Sequence, residues 1–133
     1  MAKQVLIENE RVALYYHTEH KIVHHEIRKF VGGEPFRRVL ADGAKLLKEH
    51  GATKWLSDDR GYCGQLQEDI EWAIEFWEPE AIRNGWKYWA VVTPTKALGR
   101  MNLNDFIARY KSHGIVAEIF EDIDEAFDWL VAQ

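Results

Sequence analysis

The chain holds one cysteine, Cys63, among 133 residues. A lone thiol excludes an intramolecular disulfide framework and fits a reducing, cytoplasmic setting. No apolar run approaches the roughly 20 residues needed to cross a bilayer, so no membrane insertion is expected. The start, Met1-Ala2-Lys3-Gln4, leads directly into a short apolar stretch and lacks a cleavable signal pattern. Positive charge is also short. Lys and Arg number 17 against 22 Asp and Glu, for a net charge of −5. A mildly acidic chain grips a phosphate backbone poorly, so no nucleic-acid partner is expected. Gly61-Tyr62-Cys63-Gly64 has the wrong spacing for a P-loop or a dinucleotide fingerprint, and no nucleophile-elbow motif occurs. Apolar residues are plentiful: 47% of the chain is hydrophobic and 13% aromatic, enough for one domain around one core.

The first third reads as strands. Val5–Glu8 is followed by a turn at Asn9-Glu10, then by Val12–His17, a loop over Thr18–Lys21, and a longer strand over Ile22–Val31. Alternation assigns the faces. Val12, Leu14 and Tyr16 share the core side with Val23, His25 and Ile27. Ala13, Tyr15 and His17 share the outer side with Ile22, His24, Glu26 and Arg28. Gly32-Gly33 ends this hairpin. A helix follows, with Pro35 in its first turn, a stripe of Phe36, Leu40, Gly43 and Leu47, and a stop at Gly51. The pattern then alternates: strand Lys54–Asp58, loop Asp59–Gln65, helix Glu68–Asn84, strand Trp86–Thr93, helix Asn104–Ser112, strand Ile115–Phe120 and a last helix through Val131. Asp122 and Glu125 form a capping-box signature for that helix. The unbroken apolar run Tyr88–Val92 marks a central strand buried on both faces. The order β-β-β-α-β-α-β-α-β-α predicts a single α/β domain over 1–133, with a mixed sheet made of an antiparallel amino-terminal hairpin and parallel βα units.

This order, the chain length, and the segments Gly51-Ala52-Thr53-Lys54-Trp55-Leu56-Ser57-Asp58-Asp59-Arg60 and Gly85-Trp86-Lys87-Tyr88-Trp89 resemble the STAS superfamily, the fold of bacterial anti-sigma factor antagonists. The whole chain is more specifically similar to small bacterial SpoIIAA-like proteins of unknown function. In regulatory STAS proteins, the resemblance implies, a Ser or Thr at a helix start is phosphorylated to switch a protein interface. The matching stretch here is Gln65-Leu66-Gln67-Glu68-Asp69, and no Ser or Thr lies between Asp58 and Asn84. No phospho-switch is therefore expected. The SpoIIAA-like resemblance also implies a likeness in fold to lipid-carrying SEC14 domains, and with it an apolar ligand in an aromatic-lined cavity.

Parallel sheets place ligand sites at the carboxyl ends of their strands. The candidate ligand-binding residues there are Ser57, Asp58, Asp59, Arg60, Thr93 and Thr95. A phosphoryl-handling enzyme or hydrolase would use Asp58 or Asp59 as a Mg²⁺ ligand. The plainer account is that strand-end loops are polar because they face water. Four histidines fall early in the chain. His24 and His25 point to opposite faces; His17 and His24 are outer-face diagonal neighbours, roughly 7–8 Å apart at Cα, with no third ligand. His25 reads as a hydrogen-bonded core residue, and no metal or cofactor is expected. On the helix Glu68–Asn84, Ile70, Ala73, Ile74, Trp77 and Ala81 make the core stripe, with Trp72 and Phe76 to one side of it as an interface patch. Glu71, Glu75 and Glu78 are expected on a solvated flank. No catalytic residue is identified. The expectation is a non-enzymatic protein-interaction or small-ligand-binding module, a homodimer through Trp72 and Phe76. The alternatives are the Asp58/Asp59 enzyme and a carrier of an apolar or lipid ligand.

Overall fold

The structure, a computed structural model, describes residues 3–133; Met1 and Ala2 of the amino-terminal stretch lie outside the described residues. Six strands form one mixed sheet in the spatial order of the chain: β1 (Lys3–Glu8), β2 (Val12–His17), β3 (Ile22–Ile27), β4 (Lys54–Asp58), β5 (Tyr88–Val92) and β6 (Val116–Phe120). β1, β2 and β3 pair antiparallel, and β3, β4, β5 and β6 pair parallel. The hairpin register is the expected one, with Val12 opposite Ile27, Leu14 opposite His25 and Tyr16 opposite Val23. β5 lies between two parallel neighbours and is buried from Trp89 to Val92. The register of β1 shifts between Val5 and Ile7, a bulge on an otherwise exposed edge strand of the kind that discourages edge-to-edge pairing.

Helices cover both faces. One face carries α1 (Glu34–His50), α2 (Gln67–Trp72), α3 (Glu78–Arg83) and α4 (Ala97–Ser112), and most of the core lies beneath them. The other face carries α5 (Ile123–Val131), whose Ala126 and Leu130 pack on Ile22, Leu56, Ala90 and Val92. The face of β2 and β3 taken from alternation as the outer one is therefore buried as well: Ala13, Tyr15, His17, Ile22 and His24 are all covered. A parallel sheet needs apolar cover on both sides, and α5 extends that cover toward the hairpin, where Phe127 meets the His17 ring edge-on. Pro35 stands in the first turn of α1, and Gly51, in the left-handed region at φ 62°, ends it with its N–H bonded to the Leu47 carbonyl. Asp122 caps α5 by accepting the Glu125 N–H at 3.0 Å.

Three elements depart from the sequence expectation. β3 stops at Ile27 rather than Val31, because the Arg28 and Lys29 N–H groups both turn to the Arg11 carbonyl. α4 begins at Ala97, seven residues before the expected Asn104. Its first turns carry exposed Leu98 and Met101, so they show no helical burial pattern. The helix expected over Glu68–Asn84 is not uniformly α-helical. α2 and α3 are joined by a π-helical turn, Ala73–Trp77, in which the Glu78 N–H bonds to the Ala73 carbonyl five residues back. Glu78 does not join the solvated flank expected for it. It is buried, and Arg109 of α4 binds it through Nε at 2.8 Å and Nη2 at 3.2 Å.

Candidate functional site

Alternation along the parallel strands delivers aromatic and polar side chains together to the four-helix face. β4 contributes Trp55 and Ser57, two residues apart; β3 contributes His25, opposite Ser57; β5 contributes Trp89, opposite Trp55. Trp86 precedes β5, Trp77 descends from the π turn, and Tyr110 comes from α4. These rings meet at angles. Trp55 and Trp77 have centroids 5.5 Å apart at 88°, Trp77 and Trp86 5.3 Å apart, Trp86 and Trp89 5.7 Å apart, and Trp86 and Tyr110 5.1 Å apart. Edge-on rings favour each other through their quadrupoles, but they do not fill space as stacked rings do. A cavity of about 60 Å³ remains among them, lined on its helical side by Phe36, Leu40, Ala73, Leu103 and Phe106. It exceeds the roughly 10–15 Å³ that one water needs on the same measure. π-helical turns recur at functional sites, and this one supplies two cavity walls, Ala73 and Trp77.

The polar groups of the cavity gather at the carboxyl end of β4. Trp55 Nε1 donates to His25 Nδ1 at 2.9 Å, so that nitrogen carries no proton. The ring proton is then on Nε2, which donates to Asp59 Oδ1 at 3.0 Å. Both ring nitrogens are occupied within this chain of bonds, and His25 is a neutral, fixed tautomer with no lone pair to offer as a base. Trp89 Nε1 donates to Ser57 Oγ at 2.7 Å, and Trp77 Nε1 to the Leu40 carbonyl at 2.7 Å. The Tyr62 hydroxyl donates to Gln65 Oε1 at 2.8 Å. Burial raises the pKa of Tyr62 and of Tyr110, so both phenols are neutral. Asp59 reaches His25 because its loop folds back on β3: the Gly61 N–H bonds to the Ile27 carbonyl at 3.1 Å. A Cβ at Gly61 would stand 2.5 Å from the carbonyl oxygens of Ile27 and Arg28, so the approach requires glycine.

The strand-end residues singled out in the sequence divide between two faces. Ser57 and Asp59 line the cavity. Asp58 points to the α5 side, where Arg60 grips it with Nε on Oδ1 at 2.8 Å and Nη2 on Oδ2 at 2.7 Å. Burial opposes ionisation of Asp58, but the Arg60 hydrogen bonds outweigh it and hold the carboxyl below its ordinary value. Thr93 and Thr95 lie beyond β5, where the Thr95 hydroxyl bonds to the Arg60 carbonyl at 3.3 Å, and neither lines the cavity. Asp58 and Asp59 thus do not converge on one point. Among the described residues no three His, Cys, Asp or Glu side chains form a group able to hold a metal ion. His17 Nε2 and His24 Nδ1 lie 3.0 Å apart on the α5 side. Burial lowers the pKa of both, His17 to about 4 with the Lys3 charge assisting, and His24 to about 3 with His17 assisting.

The interface pair separates too. Phe76 is 59% exposed, while Trp72 is half-buried against the core with the Arg37 guanidinium 5.4 Å above its ring. Two buried carboxylates, Asp69 and the Glu78 expected on a solvated flank, clamp the helices over the cavity. Asp69 accepts from the Gly33 N–H and from Arg37 Nε, both at 2.9 Å, and Glu78 holds Arg109. Their signal was present as acidic residues four before and one after members of the apolar stripe, at Ala73 and Trp77, but helical spacing alone did not separate them from solvated neighbours. Comparison with protein-family models, with curated proteins and with solved structures finds no match to this chain.

Proposed function

We propose that this protein is a small-ligand-binding domain whose site is the tryptophan-lined cavity between the sheet and helices α1 to α4. The observation that carries this reading is the cavity itself: apolar on most of its wall, with Ser57, Asp59 and His25 grouped at one end. That combination of apolar body and few convergent polar groups is the general form of a small-molecule site. The locked His25 and the divergence of Asp58 from Asp59 favour binding over the hydrolase or phosphoryl-transfer alternative. The order of elements supports kinship with STAS-like and SpoIIAA-like proteins as part of the same proposal, carried by the sequence resemblance. The size of the cavity favours a compact ligand over a long lipid chain.

The test is titration of the purified protein with xenon under pressure, an apolar probe small enough for a cavity of about 60 Å³, followed by tryptophan fluorescence and thermal stabilisation. Wild type is expected to be stabilised and Ala73→Leu, which fills the cavity wall, to show no stabilisation while keeping its far-UV circular dichroism. Absence of any xenon effect on wild type, or an undiminished effect on folded Ala73→Leu, would overturn the reading.

A further inference from the structure

Four tryptophans line the cavity, and each has one N–H to satisfy. Three are spent within the protein: Trp55 on His25 Nδ1, Trp77 on the Leu40 carbonyl and Trp89 on Ser57 Oγ. Trp86 differs. Its side chain is buried, 4% exposed, yet its Nε1 has no hydrogen-bond partner among the described residues. A buried donor left without an acceptor is costly, and native proteins rarely retain one without a reason. The cavity also contains a carboxylate, Asp59, which is 3% exposed and is met by a neutral imidazole. An anion entering this space would face that charge and lose its own hydration to apolar walls.

We propose that the cavity takes a small, uncharged, largely apolar molecule carrying one hydrogen-bond acceptor, such as a carbonyl, ether or ring nitrogen, which the Trp86 indole N–H binds. The proposal rests on the cavity being a binding site and adds the ligand's chemical class. The apolar body packs against the tryptophan and phenylalanine walls, and the acceptor end turns to Trp86. The other three indoles hold the pocket's shape and have no donor left over.

Propyne and acetonitrile are nearly the same size and shape, are small enough for a cavity of about 60 Å³, and differ by one acceptor, so they isolate the contact. Wild type is expected to bind both. The Trp86 indole proton, identified by its loss in the Trp86→Phe spectrum, is expected to move downfield with acetonitrile and not with propyne. Trp86→Phe alters the wall for both probes, so the quantity read is the ratio of acetonitrile to propyne affinity, which should fall by about tenfold, the worth of one buried hydrogen bond. The wild-type indole resonance decides the matter even if Trp86→Phe does not fold; in that case the resonance is assigned by specific labelling. An unmoved Trp86 resonance with acetonitrile bound, an unchanged affinity ratio, or tighter binding of acetate or methylammonium than of acetonitrile would overturn the acceptor assignment while leaving the cavity a site. If propyne does not bind either, the cavity reading itself fails.

Discussion

At the scale of single residues, the two buried histidine arrangements behave differently. His25 has a fixed role: one nitrogen receives the Trp55 N–H and the other gives its proton to Asp59, so it tethers β3 to the loop after β4. His17 and His24 instead share one hydrogen bond, and both are held neutral by burial, with pKa values near 4 and 3 against an ordinary 6.5. Their sign is that of depressed histidines. Well above pH 6.5 neither folded nor unfolded chain binds a proton there, and their contribution to stability is complete. As the pH falls from 6.5 toward 4, the unfolded chain takes up protons that the folded chain refuses, and stability is lost. The expected loss over that interval is on the order of 3 kcal/mol, or roughly 10 °C in Tm. Thermal melts between pH 7.5 and 4 measure it. His24→Leu should flatten the slope, and an unchanged slope in that variant would place the acid sensitivity elsewhere.

At the scale of elements, the π turn is the decisive irregularity. By accommodating one extra residue it seats Trp77 in the cavity wall and leaves Glu78 buried against Arg109 of α4. The pair Glu78–Arg109 is lopsided: the carboxylate is 4% exposed and the guanidinium 38%. Removing the exposed partner strands the buried charge, whereas removing the buried one frees an arginine that water can solvate. Arg109→Ala is therefore expected to cost about 3 kcal/mol and Glu78→Gln only about 1 kcal/mol, read from denaturant midpoints. The reverse order would mean that His113, 3.3 Å from the same carboxylate, carries the pairing. α4 also packs through Gly99 against the Tyr62 carbonyl, where any side chain would collide, so the clamp and the glycine together seat one wall of the cavity.

At the scale of the whole molecule, the surface patch first assigned to Trp72 and Phe76 reduces to Phe76. Trp72 packs on the core beneath Arg37, so its replacement would lower stability whatever the state of assembly. Phe76, largely exposed, is the better probe of the contact between copies expected from the sequence. Phe76→Glu should leave the unfolding free energy within about 0.5 kcal/mol, as surface substitutions do, and should lower the mass seen by light scattering. A wild type that already runs as a monomer removes the contact. None of the helices is long and apolar enough to cross a membrane among the described residues.

The sequence by itself determined the element order, the hairpin register, the interior position of β5 between parallel neighbours and the cap at Asp122, because each depends on near neighbours: alternation at period two, glycine stops, an acidic residue three before an N–H. It also placed His25 among hydrogen-bonded core residues. Only the tertiary structure decided that Ser57 and Asp59 join four tryptophans while Asp58 leaves for the other face, that Glu78 is buried, and that the Trp86 N–H finds no partner among the described residues. Those outcomes depend on side chains dozens of residues apart, and on a helical turn whose widening reorders faces that 3.6-residue spacing would otherwise assign.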